Sequence, residues 1–284
     1  MKIGVVHFGS FSVGATEIIR SLIEGSPIYG YSLYGIEFDR TVNQTSVKTL
    51  DQQQEVFLKS YPEKNWDERN VSVLEDQFDS IIVLGGRDQQ NRFQTLKTLH
   101  IPLSIYNDVD GSQYTVGYDT AINSIITNIE KIRDTASSLS YHKLRVFHIQ
   151  LPGKKPTPLL WNTALAVGAE VVTSTEEKGI IRIKQAIRLE QDRGESYFFL
   201  LMDRSVEPSR IEELLADQTN IDCKVVVIDE SQCVGPYPTA QDRILTKKII
   251  QKVFNWIETS GKSGRLVIRD DQVIFFISTD KLRR

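Results

Sequence analysis

Short apolar runs alternate along this chain with longer stretches whose apolar positions recur at helical spacing, and that alternation limits the fold more than any other feature. Residues 3–8 are apolar, G-S-F-S-V-G follows, and residues 15–24 then carry Ile18, Ile19, Leu22 and Ile23 on one helical face. The same unit recurs. Strands are expected at 31–36, 80–84, 144–149, 170–173, 197–202 and 224–228, and helices at 114–138, 159–168, 178–191, 207–216 and 243–258. Residues 265–268 and 272–277, on either side of R-D-D, read as a closing hairpin. Two stretches read less sharply: 43–69 as polar helix and loop, and the residues after Gly85-Gly86 as helix as far as 99. Strands linked through helices pair in parallel, so the expected class is α/β, with parallel sheets covered on both faces.

The 284 residues suffice for two domains. Thirty-four basic against 37 acidic side chains leave a net charge of -3, which argues against nucleic acid or an acidic membrane as partner and leaves room for a small anionic ligand held by local arginines. No apolar run reaches the ~20 residues of a membrane span, and Met1-Lys2 leads straight into a strand, so a cytoplasmic protein is expected. Cys223 and Cys233 read as free thiols. His7, His100, His142 and His148 are scattered singly, and no Cys/His cluster has metal-ligand spacing.

Three glycine turns stand where ligands bind in such folds. The spacing of Gly9 and Gly14 resembles a P-loop, yet Ala15-Thr16 replaces the Lys-Ser/Thr that holds phosphate and magnesium, so this is not a Walker A site. Gly85-Gly86 ends a buried strand and either approaches a ligand closely or makes a tight turn; both readings stay open. The third is the loop S-I-Y-N-D-V-D-G-S-Q-Y-T-V-G-Y-D-T-A at 104–121. It places Asn107, Asp108 and Asp110 beside a strand end, where open α/β sheets bind their ligands.

Taken in order, these segments resemble the ATP-type 6-phosphofructokinase family over nearly the whole chain. I-G-V with V-G-A-T-E-I-I-R is similar to the family's I-G-V and P-G-M-N-A-A-I-R. Gly85-Gly86 falls on G-G-D-G-S, and N-D-V-D-G-S-Q-Y-T-V-G-Y-D-T-A on D-N-D-I-x-G-T-D-x-T-x-G-F-x-T-A. I-R-D-T-A-S-S at 132–138, A-L-A-V-G-A-E at 164–170, and Q-x-x-G-x-x-P with a later D-R at 232–243 extend the match. The resemblance implies two Rossmann-like three-layer α/β/α lobes with the active site in the cleft between them. The larger, nucleotide-side lobe would comprise 1–118 and 233–277, and the smaller, sugar-phosphate-side lobe 119–232 and 278–284.

The chain departs from the family where the chemistry lies. Phosphoryl transfer from ATP needs an aspartate base, a magnesium-binding aspartate and cationic clamps. Aligned on Asn107-Asp108, the base position holds Tyr106, whose phenol is a poor base near neutrality with a pKa of ~10. Arg87 falls on the magnesium aspartate unless the alignment shifts by one to Asp88. Gly9, Ser10, Gly85, Gly86, Arg87 and Asp88 would form what remains of the nucleotide site, and Ser104, Arg145, Lys154, Asp203 and Lys224 the sugar-phosphate site. Arg145 corresponds to an arginine that acts across a subunit interface, so a homo-oligomer is expected, with hetero-assembly open. Arg20 and Arg133 match effector-phosphate arginines. The expected protein is a phosphofructokinase-like pseudoenzyme that keeps Asp108 and acts by binding or assembly. The alternative is an active 6-phosphofructokinase or related sugar-phosphate kinase using ATP and magnesium, with Asp108 as base and Asp88 as metal ligand.

Overall fold

The computed structural model describes residues 1–9, 13–52, 57–86, 96–138, 142–259 and 261–277. The chain divides into two compact units, one of Met1–Thr120 with Val234–Arg284 and the other of Ala121–Cys233. The expected site residues Ser10, Arg87 and Asp88 lie outside the described residues, as does the 278–284 tail.

The first unit holds a seven-stranded sheet in the order β11-β10-β5-β4-β1-β2-β3. Its strands are β1 (Lys2–His7), β2 (Ser32–Asp39), β3 (Gln44–Thr49), β4 (Ser80–Leu84), β5 (Lys97–Ile101), β10 (Gly264–Arg269) and β11 (Gln272–Ile277). The sheet is mixed rather than wholly parallel, because β3 runs antiparallel to β2 and β11 antiparallel to β10. Alternate residues of the central strands feed two cores. Ile82 and Leu84 join Val5, Ile18, Leu22, Ile249 and Trp256 beneath α1 (Val13–Tyr29) and α7 (Ala240–Glu258). Ile81 and Val83 join Tyr61, Trp66 and Leu74 beneath α2 (Glu68–Glu75). Helices therefore cover both faces, as period-two alternation on a doubly buried sheet requires.

Three expectations need correction here. Residues 44–49, read as polar helix and loop, are the edge strand β3. Residues 97–99, expected as the end of a helix, belong to β5, which begins at Lys97. The long helix α3 starts at Tyr118 and ends at Ser138, not from residue 114. Thr115 and Val116 are held in extended chain beside the strand-end loop: Val116 N donates to Pro102 O at 3.0 Å and Ser104 N to Val116 O at 3.2 Å.

The second unit carries a four-stranded, wholly parallel sheet in the order β7-β8-β6-β9. It is built from β6 (Leu144–Gln150), β7 (Glu170–Val172), β8 (Tyr197–Met202) and β9 (Ile221–Val227). Leu144, Val146, Leu200 and Met202 face α5 (Glu177–Arg193) and α6 (Pro208–Leu214) through Ile183, Ile187 and Ile211. On the other face α3 packs Arg133 over the Phe199 ring, and α4 (Pro158–Val167) buries Leu159, Leu160 and Ala164.

Candidate functional site

Both sheets reverse their winding between two adjacent parallel strands, which is where such sheets open a ligand crevice. In the first unit the reversal lies between β1 and β4. The chain leaves β1 for α1 on one face, and β4 is reached from α2 on the other. Past these strand ends stand Gly9 (φ 86°), Gly85 (φ 70°) and Gly86 (φ 79°). Gly85 can be nothing else, since a Cβ there would sit 2.6 Å from Phe8 O and 2.9 Å from Leu103 O. His100 Nε2 lies 2.8 Å from Gly85 O and 3.2 Å from Gly86 O; with carbonyls on that side, Nε2 carries the proton and pins the turn.

The loop after β5 closes the other wall. A cleft of about 270 Å³ is lined by Phe8, Gly9, Gly86, Ser104, Tyr106 and Asp108, with Glu63 at its exposed rim. The Ser104 hydroxyl donates to Asp108 Oδ1 at 2.8 Å and accepts the Tyr106 amide at 3.1 Å. Thr115 Oγ1 lies 2.7 Å from Ser104 O and 3.2 Å from Asn107 Oδ1, and Asn107 Nδ2 donates to Gln113 O at 2.9 Å. These bonds hold Asn107 in the left-handed region (φ 55°), a conformation asparagine tolerates better than most residues. Behind the loop, Asp242 at the start of α7 takes the amides of Gly117 and Thr120, both at 2.9 Å, and the Thr120 hydroxyl at 2.5 Å. Burial pushes its carboxyl above the usual range although these donors pull it down.

In the second unit the winding reverses between β6 and β8. Lys154 and Asp203 stand on the two loops that leave these strands, and Arg204 N donates to Gly153 O at 2.9 Å, tying the loops together. Asp203 is buried (1% exposed) and its Oδ1 accepts the Ser205 amide at 2.7 Å and the Ser205 hydroxyl. Arg145 lies elsewhere. It is the second residue of β6, paired with Tyr197 at the opposite end of the sheet and ~16 Å of strand away from Gln150. Its guanidinium packs over the Phe147 ring. Lys224 lies mid-strand on β9, 3.3 Å from Asp222. The chain therefore gathers Lys154 with Asp203 and leaves Arg145 and Lys224 apart from them.

Arg20 and Arg133 belong to different units. Arg20 pairs with Glu17 at 2.6 Å on the surface of α1. Arg133 donates to Val167 O at the end of α4 and lies 3.5 Å from Glu130. Both cysteines are free, and burial pushes Cys223 up to about 11 and Cys233 up to about 12, too high for reactive thiolates.

The Phosphofructokinase family model matches residues 2–257. The chain belongs to the phosphofructokinase family. Among its relatives, the ATP-dependent 6-phosphofructokinase of Clostridioides difficile (strain 630) is 30% identical over 295 residues, 96% of this chain and 91% of the relative. That of Staphylococcus carnosus (strain TM300) is 29% identical over 272 residues, 87% of this chain and 83% of the relative. The crystal structure of Pichia pastoris phosphofructokinase in the T-state shares the fold with a TM-score of 0.77 at 19% identity; the match covers 97% of this chain and 37% of that longer one.

Within this phosphofructokinase fold, two residues escaped the sequence reading. Glu63 came from a stretch without a motif. Asp242 stood in the matched D-R pair, but its hydrogen bonds span more than a hundred residues of sequence. Among the described residues, no group of three or more His, Cys, Asp or Glu side chains is arranged to hold a metal ion, and no helix is long and apolar enough to cross a membrane. The glycine turns suit the phosphates of a nucleotide. The described carboxylates do not by themselves make a magnesium site.

Proposed function

We propose that this family member binds a phosphate-bearing ligand without transferring its phosphoryl group, and that it acts through that binding or through assembly. The observation that carries this reading is the wall of the first cleft. Tyr106 stands where the family's base would be, and the neighbouring Asp108 already accepts the Ser104 hydroxyl at 2.8 Å. Phosphoryl transfer depends on positioned acids and cations more than on any covalent step, so a phenol in place of a carboxylate removes a principal contribution. The first unit would take the nucleotide end of the ligand on Gly9, Gly85 and Gly86. The second would take a sugar phosphate near Lys154 and Asp203. Arg145, at the far end of its own sheet from that pair, supports a homo-oligomer in which it serves a neighbouring copy. Assembly with a different protein and a cytoplasmic location fit the same reading.

A coupled assay for ADP release with fructose 6-phosphate, ATP and magnesium tests it. No turnover above a protein-free control is expected, and thermal melting should rise with at least one of ATP, ADP, fructose 6-phosphate or phosphoenolpyruvate. Turnover that vanishes in Asp108→Ala would establish the opposite.

One observation favours a second reading, an active sugar-phosphate kinase. Glu63 brings a second carboxylate to the same cleft as Asp108. In that case Asp108 is the base, Glu63→Gln lowers turnover, and ATP with magnesium is the phosphoryl source.

A further inference from the structure

A second cavity of the first unit, of about 340 Å³, shares a wall with the Tyr106 cleft. Glu63 lines the cleft, while Pro62, Lys64 and Asn65 line this cavity. Its volume falls within the ~300–1,000 Å³ of small-molecule sites. The opposite side comes from the β2–β3 hairpin, through Phe38, Arg40 and Asn43. Among the described residues the lining therefore holds two cations and no carboxylate, with Phe38 and Pro62 as its apolar surface. Asn43, in the left-handed region (φ 54°), ends the hairpin turn and brings a carboxamide donor to the same opening.

Arg40 and Lys64 are exposed, and neither makes an ion pair or hydrogen bond among the described residues. Carboxylates adjoin both in sequence, yet each is directed elsewhere. Asp39 Oδ1 accepts the Thr41 amide at 2.8 Å and the Thr41 hydroxyl at 2.6 Å. Glu37 takes Lys48 at 2.7 Å, and Glu63 lines the first cleft. By contrast, Arg20, Arg182, Arg193, Arg204 and Arg210 each lie within 2.9 Å of a carboxylate oxygen. The two sides of the cavity are fastened to each other. The Tyr61 hydroxyl lies 2.8 Å from Thr45 Oγ1 of β3 and 3.4 Å from Asn65 O, and its ring meets Phe38 edge-on at 5.4 Å. Asn65 N donates to Pro62 O at 2.9 Å. The cations thus stand on a preformed frame.

We propose that this cavity binds a phosphate monoester with a small flat body. A monoester dianion carries about two negative charges near neutrality, which matches the two uncompensated cations. The planar Arg40 guanidinium suits two phosphate oxygens at once, Lys64 adds a point charge, and Asn43 donates a neutral hydrogen bond. The body lies on Phe38 and Pro62. This site has no lining residue in common with the Tyr106 cleft, so the two can succeed or fail separately.

The test uses the full chain labelled with 4-fluorophenylalanine and followed by fluorine NMR, the Phe38 signal being assigned with Phe38→Leu. The probes are phenyl phosphate, phenyl sulfate, which has the same body and one charge fewer, and inorganic phosphate, which has no body. Phenyl phosphate should shift the Phe38 signal saturably, with both other probes weaker. Arg40→Gln and Lys64→Gln should each weaken it by about tenfold, as loss of a charge-assisted contact predicts, with Tm unchanged because both side chains are exposed. Ser104→Ala, which alters the first cleft, should leave the Phe38 response as it is. Loss of the response in Ser104→Ala would place the ligand in that cleft and overturn the proposal. Wild-type binding by both Arg40→Gln and Lys64→Gln would overturn it too, as would equal binding of phenyl sulfate or inorganic phosphate, or no saturable shift.

Discussion

The Asp242 carboxylate accepts both the amide and the hydroxyl of Thr120, 122 residues away in sequence, at 2.9 and 2.5 Å. It thereby caps the start of α3 from α7, while Thr239 N donates to Thr120 Oγ1 at 3.1 Å. Asp242→Asn places an amino group against donors that need an acceptor. The expected cost is ~1–3 kcal/mol, a fall in Tm of ~2–4 °C per kcal/mol for a chain of this length. Thr120→Ser, which keeps the hydroxyl, should recover most of the stability that Thr120→Val loses in the same melting experiment.

Gly85→Ala should be among the most damaging single-atom additions to the first unit. It combines a positive φ with a Cβ driven into Phe8 O and Leu103 O. Backbone strain of this kind costs ~1–3 kcal/mol before the clash is counted. Urea unfolding should show a lower midpoint, and any nucleotide-induced rise in Tm should disappear in parallel.

His148 gives the second unit a pH dependence. It is wholly buried on β6, and burial holds its pKa below the ordinary 6.5 although the Glu212 carboxylate pulls it up. In the window between the lowered folded value and ~6.5, the unfolded chain binds more protons than the folded one, so stability rises with pH there. The contribution is complete above ~6.5 and is lost as pH falls through the folded value. Urea midpoints measured from pH 7.5 downward should decline more steeply in the wild type than in His148→Gln.

Arg133 is engaged by the Val167 carbonyl, Glu130 and the Phe199 ring. Arg133→Gln should therefore cost ~1–2 kcal/mol of stability through loss of the α4 anchor, seen as a lower Tm, and leave the response to phosphoenolpyruvate unchanged. A lost response with unchanged Tm would assign the guanidinium to anion binding instead.

The parts of this fold legible in the sequence are those in which an unbroken apolar run coincides with unbroken burial. Ser80–Leu84 and Tyr197–Met202 are buried along nearly their whole length and read as strands at once. The edge strand β3, Q-T-S-V-K-T, is held by backbone pairing to β2 with most of its side chains in water, so it carries no apolar signal. The strand β5 hid for a different reason: it buries Thr98 and His100 on one face, and polar residues inside a sheet defeat a reading based on hydropathy. At the site, Asp108 was legible because its loop has a recognisable residue order. Glu63 was not, since only folding carries it to the same cleft. Asp242 was half legible. Thr239 three residues before it is a capping pattern, and the amide of Asp242 does donate to Thr239 Oγ1 at 3.4 Å. Its bond to Thr120 depends on tertiary structure alone.

Residues 121–233 leave the first unit after Thr120 and return to it at Val234, and Thr120 and Thr239 are themselves joined by a hydrogen bond. The second unit is therefore a guest spliced into a host whose two segments are bonded to each other five residues past the point of return. A host shortened by joining residue 120 to residue 234 through a few glycines would keep its seven strands and both of its cores, and could be handled as a separate protein.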